Sequence, residues 1–186
     1  MSLVVLSRTE CVSQPSSLMK LKKQHREKSL YSPVSTVQRI CSVDLTTMIC
    51  VQIATYLESC GLDALHVSRA VHLKDEYMWA PTGIHGGFSA EYVANIKKCV
   101  SIPVITVGRY TEPQFAEVMV RTGNADLVAF GRQSLADPAM PKKAFEDRLE
   151  DMTPCIACLQ GCVANMYAGK PICCLTTQFL AVRAKE

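Results

Sequence analysis

Four cysteines carry the densest chemistry in the sequence: Cys155-x2-Cys158-x3-Cys162-x11-Cys174, with Cys173 beside the last. Thiolates are soft ligands, and four of them complete the shell of either a zinc ion or a [4Fe–4S] cluster. The x3 gap departs from the paired C-x2-C…C-x2-C pattern, and Ile156, Leu159 and Val163 supply apolar surroundings that keep water from a cluster. Both details favour iron and sulfide over zinc. A group of ordinary buried cysteines is the third reading of the same spacing.

A second group lies upstream. "IPVITVGR" ends in Gly108-Arg109 and "ADLVAFGR" ends in Gly131-Arg132. A glycine lets a backbone N–H approach a phosphate closely, and an arginine adds charge-assisted donors. In parallel α/β folds, ligands gather at the C-terminal ends of strands. The repeated Gly-Arg therefore reads as an anionic-cofactor site, against the plainer view that each glycine relieves a turn and each arginine is solvated. His66, His72 and His85 accompany the single tryptophan, Trp79, around the loop that follows an earlier apolar run, "DALHVS" (63–68). His72 stands just past a strand end, where catalytic groups belong, although a lone loop histidine is more often solvated or structural.

These groups need a scaffold, and the apolar pattern supplies one from residue 44 onward. "TTMICVQIATYLESCG" has a helical period, with Met48, Ile49, Ala54, Leu57 and Cys60 mostly on one face and Gly61 as a stop. "DALHVS" (63–68) reads as a buried strand. "SAEYVANIKKCV" is a helix with Tyr92, Val93, Ile96 and Val100 inward, and residues 102–108 form a second strand. "TEPQFAEVMVRTG" is a helix with a Thr111–Gln114 capping box, with Phe115, Val118, Met119 and Thr122 sharing a face. Residues 125–131 give a third strand. Helix and strand alternate with short connections, which implies parallel strands with right-handed crossovers. Pattern alone leaves open an open doubly wound sheet or a piece of a (β/α)8 barrel.

The chain has 186 residues, 48% hydrophobic and 20% charged, the composition of a globular protein with one sizeable core. Its net charge of +3 gives no reason to expect a nucleic-acid partner. No apolar run reaches the roughly 18 residues of a membrane span, so a cytoplasmic location is expected. In that reducing setting ten cysteines point to metal ligands or reactive thiols rather than disulfides. Residues 1–43 carry seven Lys/Arg against two Glu and show no sustained period, which reads as a poorly ordered basic leader.

Taken together, "DALHVS", "IPVITVGR", "ADLVAFGRQSLADPAMPKKAFEDRLEDMTPCIACLQGC" and "GKPICCL" resemble the iron–sulfur branch of the old yellow enzyme family, which includes 2,4-dienoyl-CoA reductase and 2-enoate reductase. The resemblance runs from about residue 44 to 179. It implies an α/β fold, a partial TIM (β/α)8 barrel of about its last three βα units, over residues 44–150. A cysteine-rich cluster-binding segment would follow over 151–186. Gly108, Arg109, Gly131 and Arg132 would hold the FMN phosphate, and Cys155, Cys158, Cys162 and Cys174 would ligate a [4Fe–4S] cluster, leaving Cys173 as a neighbour. His72 falls where dienoyl-CoA reductases carry a histidine that helps protonate the substrate. Family enzymes pass electrons from NAD(P)H through FAD and the cluster to FMN, which reduces an activated C=C bond in an enoate or enoyl-CoA substrate. A complete barrel needs about 250 residues. The resemblance therefore implies a carboxy-terminal fragment with little activity alone, completed by the missing barrel half or a second subunit.

Overall fold

The structure, a computed structural model, describes residues 3–4, 35–36, 47–69 and 78–177. The three strands expected from the sequence are present as β3 (Leu65–Val67), β4 (Val104–Thr106) and β5 (Leu127–Ala129). Two short strands add to them: β1 (Leu3–Val4) and β2 (Ser35–Thr36). All pairings are parallel, in the order β1-β5-β4-β3-β2. Both added strands fall in the segment read as a basic leader. Two residues each are too short to carry a period, so no pattern in the sequence announces them.

Between the strands lie α1 (Thr47–Ser59), α2 (Ala90–Lys97) and α3 (Pro113–Arg121). Their apolar faces join Leu65, Val67, Val104 and Val128 in one core with Cys50, Ala54, Val93, Ile96, Ala116 and Met119. The inner face of α2 is as expected, with Tyr92 half-buried and packed on the core. Two helices sit in a different rotation. On α1 the buried residues are Cys50 and Ala54, while Met48 is 74% exposed. On α3 they are Pro113, Ala116 and Met119, while Val118 is 52% exposed. The expected capping box is absent as well: Glu112 is the N-cap, without a side-chain cap bond, because Pro113 begins the helix one residue later than a Thr111 cap requires.

Polar side chains fix the joints. Glu58 accepts hydrogen bonds from the backbone of Ser101 and Ile102 at 2.8 and 3.2 Å, holding the end of α1 to the turn before β4. Asp126 accepts from the Val104 amide at 2.7 Å and pairs with Lys97 at 2.7 Å, which sets β5 beside β4.

The register shows what the other face of the sheet carries. His66 pairs with Ile105, and Ile105 with Leu127. Side chains alternate along a strand, so this rung points away from the helix-packed core. His66 is buried, and neither ring nitrogen has a hydrogen-bond partner. Burial pulls its pKa down to about 4.

After β5 the chain makes two short helices, α4 (Arg132–Ala136) and α5 (Met140–Phe145), and a 3-10 turn at Leu149–Asp151. It then enters the cysteine segment, which contains a π-helical turn at Gln160–Ala164 running into Asn165–Tyr167. No helix among the described residues is long and apolar enough to cross a membrane.

Candidate functional site

The site begins where β4 and β5 end. Arg109 follows Gly108 with a left-handed backbone (φ 55°), a conformation that costs a non-glycine residue on the order of 1 kcal/mol or more. Its side chain holds it there: Nη1 donates to the carbonyls of Pro81, Thr82 and Ile84. Arg132, at the end of β5, donates from Nη2 to the Ala80 carbonyl at 3.1 Å. The two arginines thus clamp one loop, residues 80–84, onto the strand ends. Among the described residues each keeps a buried donor without a partner, Nε of Arg109 and Nη1 of Arg132. Such orphans are expensive, about 1–3 kcal/mol each, and an anion placed between the two would satisfy both.

The two glycines differ. A Cβ on Gly108 would collide with the Ser89 side chain, so packing against the start of α2 demands this glycine. This packing requirement stands beside the close approach to a phosphate expected of Gly108 from the sequence. Around Gly131 nothing lies within 4 Å of where a Cβ would sit, and its backbone faces open space.

Beyond Arg132 the chain is tied down by two side chains that the sequence reading passed over. Gln133, 2% exposed, donates from Nε2 to the Thr153 carbonyl at 2.9 Å and accepts the Cys155 amide at 2.8 Å. Asp137, one helical turn later, accepts from the Thr153 amide at 3.0 Å, the Ala139 amide at 3.1 Å and Lys143 Nζ at 2.7 Å. Together they set the backbone of 153–155 against α4. The spacing of two polar residues at i and i+4, on a short helix flanked by apolar positions, is the signal that could have found them.

The cysteine loop itself is sharply folded. Ala157 and Leu159 are left-handed (φ 56° and 62°), turning successive peptide planes in the manner of the backbone nests that surround anionic groups. The returning segment closes on this loop where the Cys173 amide donates to the Gly161 carbonyl at 2.9 Å. A Cβ on Gly161 would lie 2.7 Å from the Cys173 carbonyl oxygen, so only glycine lets the two segments meet. Asn165 Nδ2 adds bonds to the Pro171 carbonyl and to Cys173 Sγ.

The result is a pocket that is partly open to solvent. Cys155, Cys158, Cys162, Cys173 and Cys174 line it, together with Arg132. All five are free, half-buried thiols. Leu135, Ile156 and Leu175 supply apolar wall. Among the described residues no three His, Cys, Asp or Glu groups stand together tightly enough to hold one metal ion.

Electrostatics bind the cavity to the strand ends. Burial pulls the Arg132 guanidinium below its ordinary value; the neighbouring Cys155 and Cys162 oppose that, Arg109 adds to it, and Cys158 opposes it. Burial would raise the Cys174 thiol, but hydrogen bonds from Thr176 and Thr177 outweigh it and hold the group below the usual cysteine value. The 80–84 loop touches the cysteine segment directly, through Thr82 Oγ1 to the Ile156 carbonyl at 2.9 Å. Just before it, Trp79 Nε1 donates to the Tyr167 hydroxyl at 3.0 Å. His72 lies outside the described residues, and His85 is exposed, its ring bonded to the adjacent Gly86 carbonyl.

Comparison with known proteins gives a consistent answer. The chain is 44% identical over 114 residues to an NADH oxidase of Thermoanaerobacter brockii, covering 61% of this chain and 18% of that protein. It is 32% identical over 126 residues to a cinnamate reductase of Clostridium sporogenes, covering 67% and 19%. Among solved structures, a 2-naphthoyl-CoA reductase in complex with 2-naphthoyl-CoA superposes with a TM-score of 0.76 at 23% identity, over 87% of this chain and 25% of that one. The chain spans about a fifth of the length of the curated relatives it matches. The family model for NADH:flavin oxidoreductase / NADH oxidase matches residues 31–151, which begins upstream of the boundary that the sequence reading drew at residue 44. The last stretch of the supposed leader, which includes β2, is thus family sequence. With that match over most of its length, the chain belongs to the NADH:flavin oxidoreductase / NADH oxidase family.

Proposed function

We propose that this chain carries the flavin-phosphate end and the [4Fe–4S] loop of an NAD(P)H:flavin oxidoreductase that reduces activated C=C bonds, of the enoate or 2,4-dienoyl-CoA reductase type. The observation that carries this reading is the one cavity bordered by Cys155, Cys158, Cys162, Cys174 and Arg132, directly beyond the end of β5. In this reading β3, β4 and β5 are the last three strands of a (β/α)8 barrel. The place of β1 beside β5, where the first strand of a closed barrel meets the last, supports it.

Cys155, Cys158, Cys162 and Cys174 would hold the cluster. The x3 gap between Cys158 and Cys162, in place of a paired C-x2-C…C-x2-C, favours a [4Fe–4S] cluster over a single zinc ion. Arg109 and Arg132, with the backbone at Gly108 and Gly131, would hold the FMN phosphate; their orphaned Nε and Nη1 donors are the groups that an anion would complete. When bound, the flavin supplies hydride chemistry and the cluster supplies single-electron transfer. The chain's own residues do the holding. Leu135, Ile156 and Leu175 supply apolar wall beside the cysteines, and Gln133 and Asp137 fix the entry to the loop. His72 is assigned the delivery of a proton to the substrate. The full-length enzyme would add FAD and NAD(P)H sites, with the rest of the barrel in the same chain or a second subunit, in a reducing cytoplasm. Its substrate would be a small enoate or enoyl-CoA-like molecule.

Anaerobic purification, followed by iron, sulfide, zinc and flavin analysis, tests this reading. Iron and sulfide together with bound FMN support it. Iron or zinc without flavin, even after incubation with FMN, would instead make the chain a stand-alone metal-binding module. Absence of any metal would refute the cluster outright. NADH-dependent cinnamate reduction by the 186-residue chain alone should be negligible.

A further inference from the structure

Arg132 is usually the kind of residue that one site explains, yet here it belongs to two. Its Nη2 is spent on the Ala80 carbonyl, which fixes the guanidinium. Its Nη1 is buried without an acceptor. The same side chain forms part of the wall of the cysteine cavity, among Cys155, Cys158 and Cys162. The neighbouring positive group is Arg109, which approaches from the strand-end side. The acidic groups nearest in sequence, Asp126 and Asp137, are engaged elsewhere, Asp126 with Lys97 and Asp137 with Lys143. Among the described residues no carboxylate joins the cavity wall.

We infer that Arg132 is a positioning residue whose fixed charge sets the reduction potential of the group bound at Cys155, Cys158, Cys162 and Cys174, in addition to any contact with flavin phosphate. This inference rests on the cluster reading given above. The physics is simple. Four thiolates and a cluster carry net negative charge, and adding an electron increases it. A cation held in the wall, away from bulk water, stabilises the reduced state more than the oxidised one. A guanidinium suits this role because it stays charged when partly buried, where a lysine or histidine shifts more readily. One residue then senses both sides: an anion drawn onto Nη1 from the strand-end side partly neutralises it and makes the cluster harder to reduce. The two sites are coupled through one charge.

The test uses the full 186-residue chain, loaded anaerobically with iron and sulfide, in wild-type, Arg132→Gln and Arg132→Lys forms. Iron content and circular dichroism are recorded first, and an EPR-monitored redox titration follows. The Gln variant should bind iron normally and be at least tenfold harder to reduce, a shift of about 59 mV for one electron. The Lys variant, which keeps the charge without the fork, should stay within about threefold of wild type. Adding inorganic phosphate to the wild type should move the equilibrium in the direction of the Gln variant and leave the Gln variant itself unmoved. Iron in all three forms with unchanged potentials overturns this inference and leaves the cluster reading standing. No iron in the wild type overturns both. Should the Gln variant not fold, the Lys form and the phosphate titration decide: a tenfold shift on Arg132→Lys, or no response of the wild type to phosphate, contradicts the role.

Discussion

Gln133→Leu is the perturbation that isolates how the cysteine segment is held. Leucine keeps most of the buried volume, so the change removes two hydrogen bonds, to the Thr153 carbonyl and from the Cys155 amide, without opening a large cavity. A buried backbone group left without a partner costs about 1–3 kcal/mol. Thr153 and Cys155 are only half-buried, so water recovers part of this, and the lower part of the range applies to each. The sum is about 2–3 kcal/mol. The loss should fall on the loop rather than on the sheet, because Asp137 still accepts the Thr153 amide. Urea denaturation followed by far-UV circular dichroism measures the stability term. Transfer of iron from the loaded protein to a chelator measures the local one, and should be accelerated at least tenfold. Gln133→Glu keeps the acceptor for Cys155 but sets a carboxylate oxygen against the Thr153 carbonyl, and should lose at least as much. A Leu variant within about 0.5 kcal/mol of wild type, with an unchanged rate of iron loss, would refute the reasoning.

Three further outcomes follow from other parts of the molecule. His66 is buried without partners and its pKa is lowered to about 4, against about 6.5 in the unfolded chain. Between those values the unfolded state binds the extra proton, so stability present above pH 6.5 is lost as pH falls toward 4. Urea midpoints at pH 7 and pH 5 should reveal a loss of about 2 kcal/mol that His66→Leu abolishes. Gly161→Ala places a Cβ 2.7 Å from the Cys173 carbonyl, so the two cysteine segments must separate; iron content should fall below half while far-UV circular dichroism is retained. Arg109→Ala releases the clamp on residues 81–84 and removes one orphaned donor, and FMN affinity, read by quenching of flavin fluorescence, should weaken at least tenfold.

The sheet was legible because β3, β4 and β5 lie in apolar runs bounded by glycine and polar turns, and a parallel strand buried on both faces needs such a run. The helices were legible in extent but less so in rotation. Val118 and Met48 are apolar yet face outward, and periodicity cannot tell which of two apolar stripes will meet the sheet. β1 and β2 carry too few residues to leave a pattern. In the site, the cysteine spacing and the two Gly-Arg pairs drew attention to side chains that the fold does bring to adjoining places. The supports stayed hidden. Gln133 and Asp137 look like ordinary polar helix positions until Thr153 and Cys155 are seen to need their bonds. The packing constraint on Gly108 stayed hidden too, because Ser89 is distant in sequence.

The central claim is that Cys155, Cys158, Cys162 and Cys174 ligate a four-iron cluster while Cys173 only lines the cavity. Iron and acid-labile sulfide per chain, measured after anaerobic loading of the wild type and of the five single Cys→Ser variants, test it most directly. The account predicts about four of each in the wild type and in Cys173→Ser, and a sharp fall in the other four variants. Zinc in place of iron, or iron lost in Cys173→Ser and kept in Cys174→Ser, would contradict it.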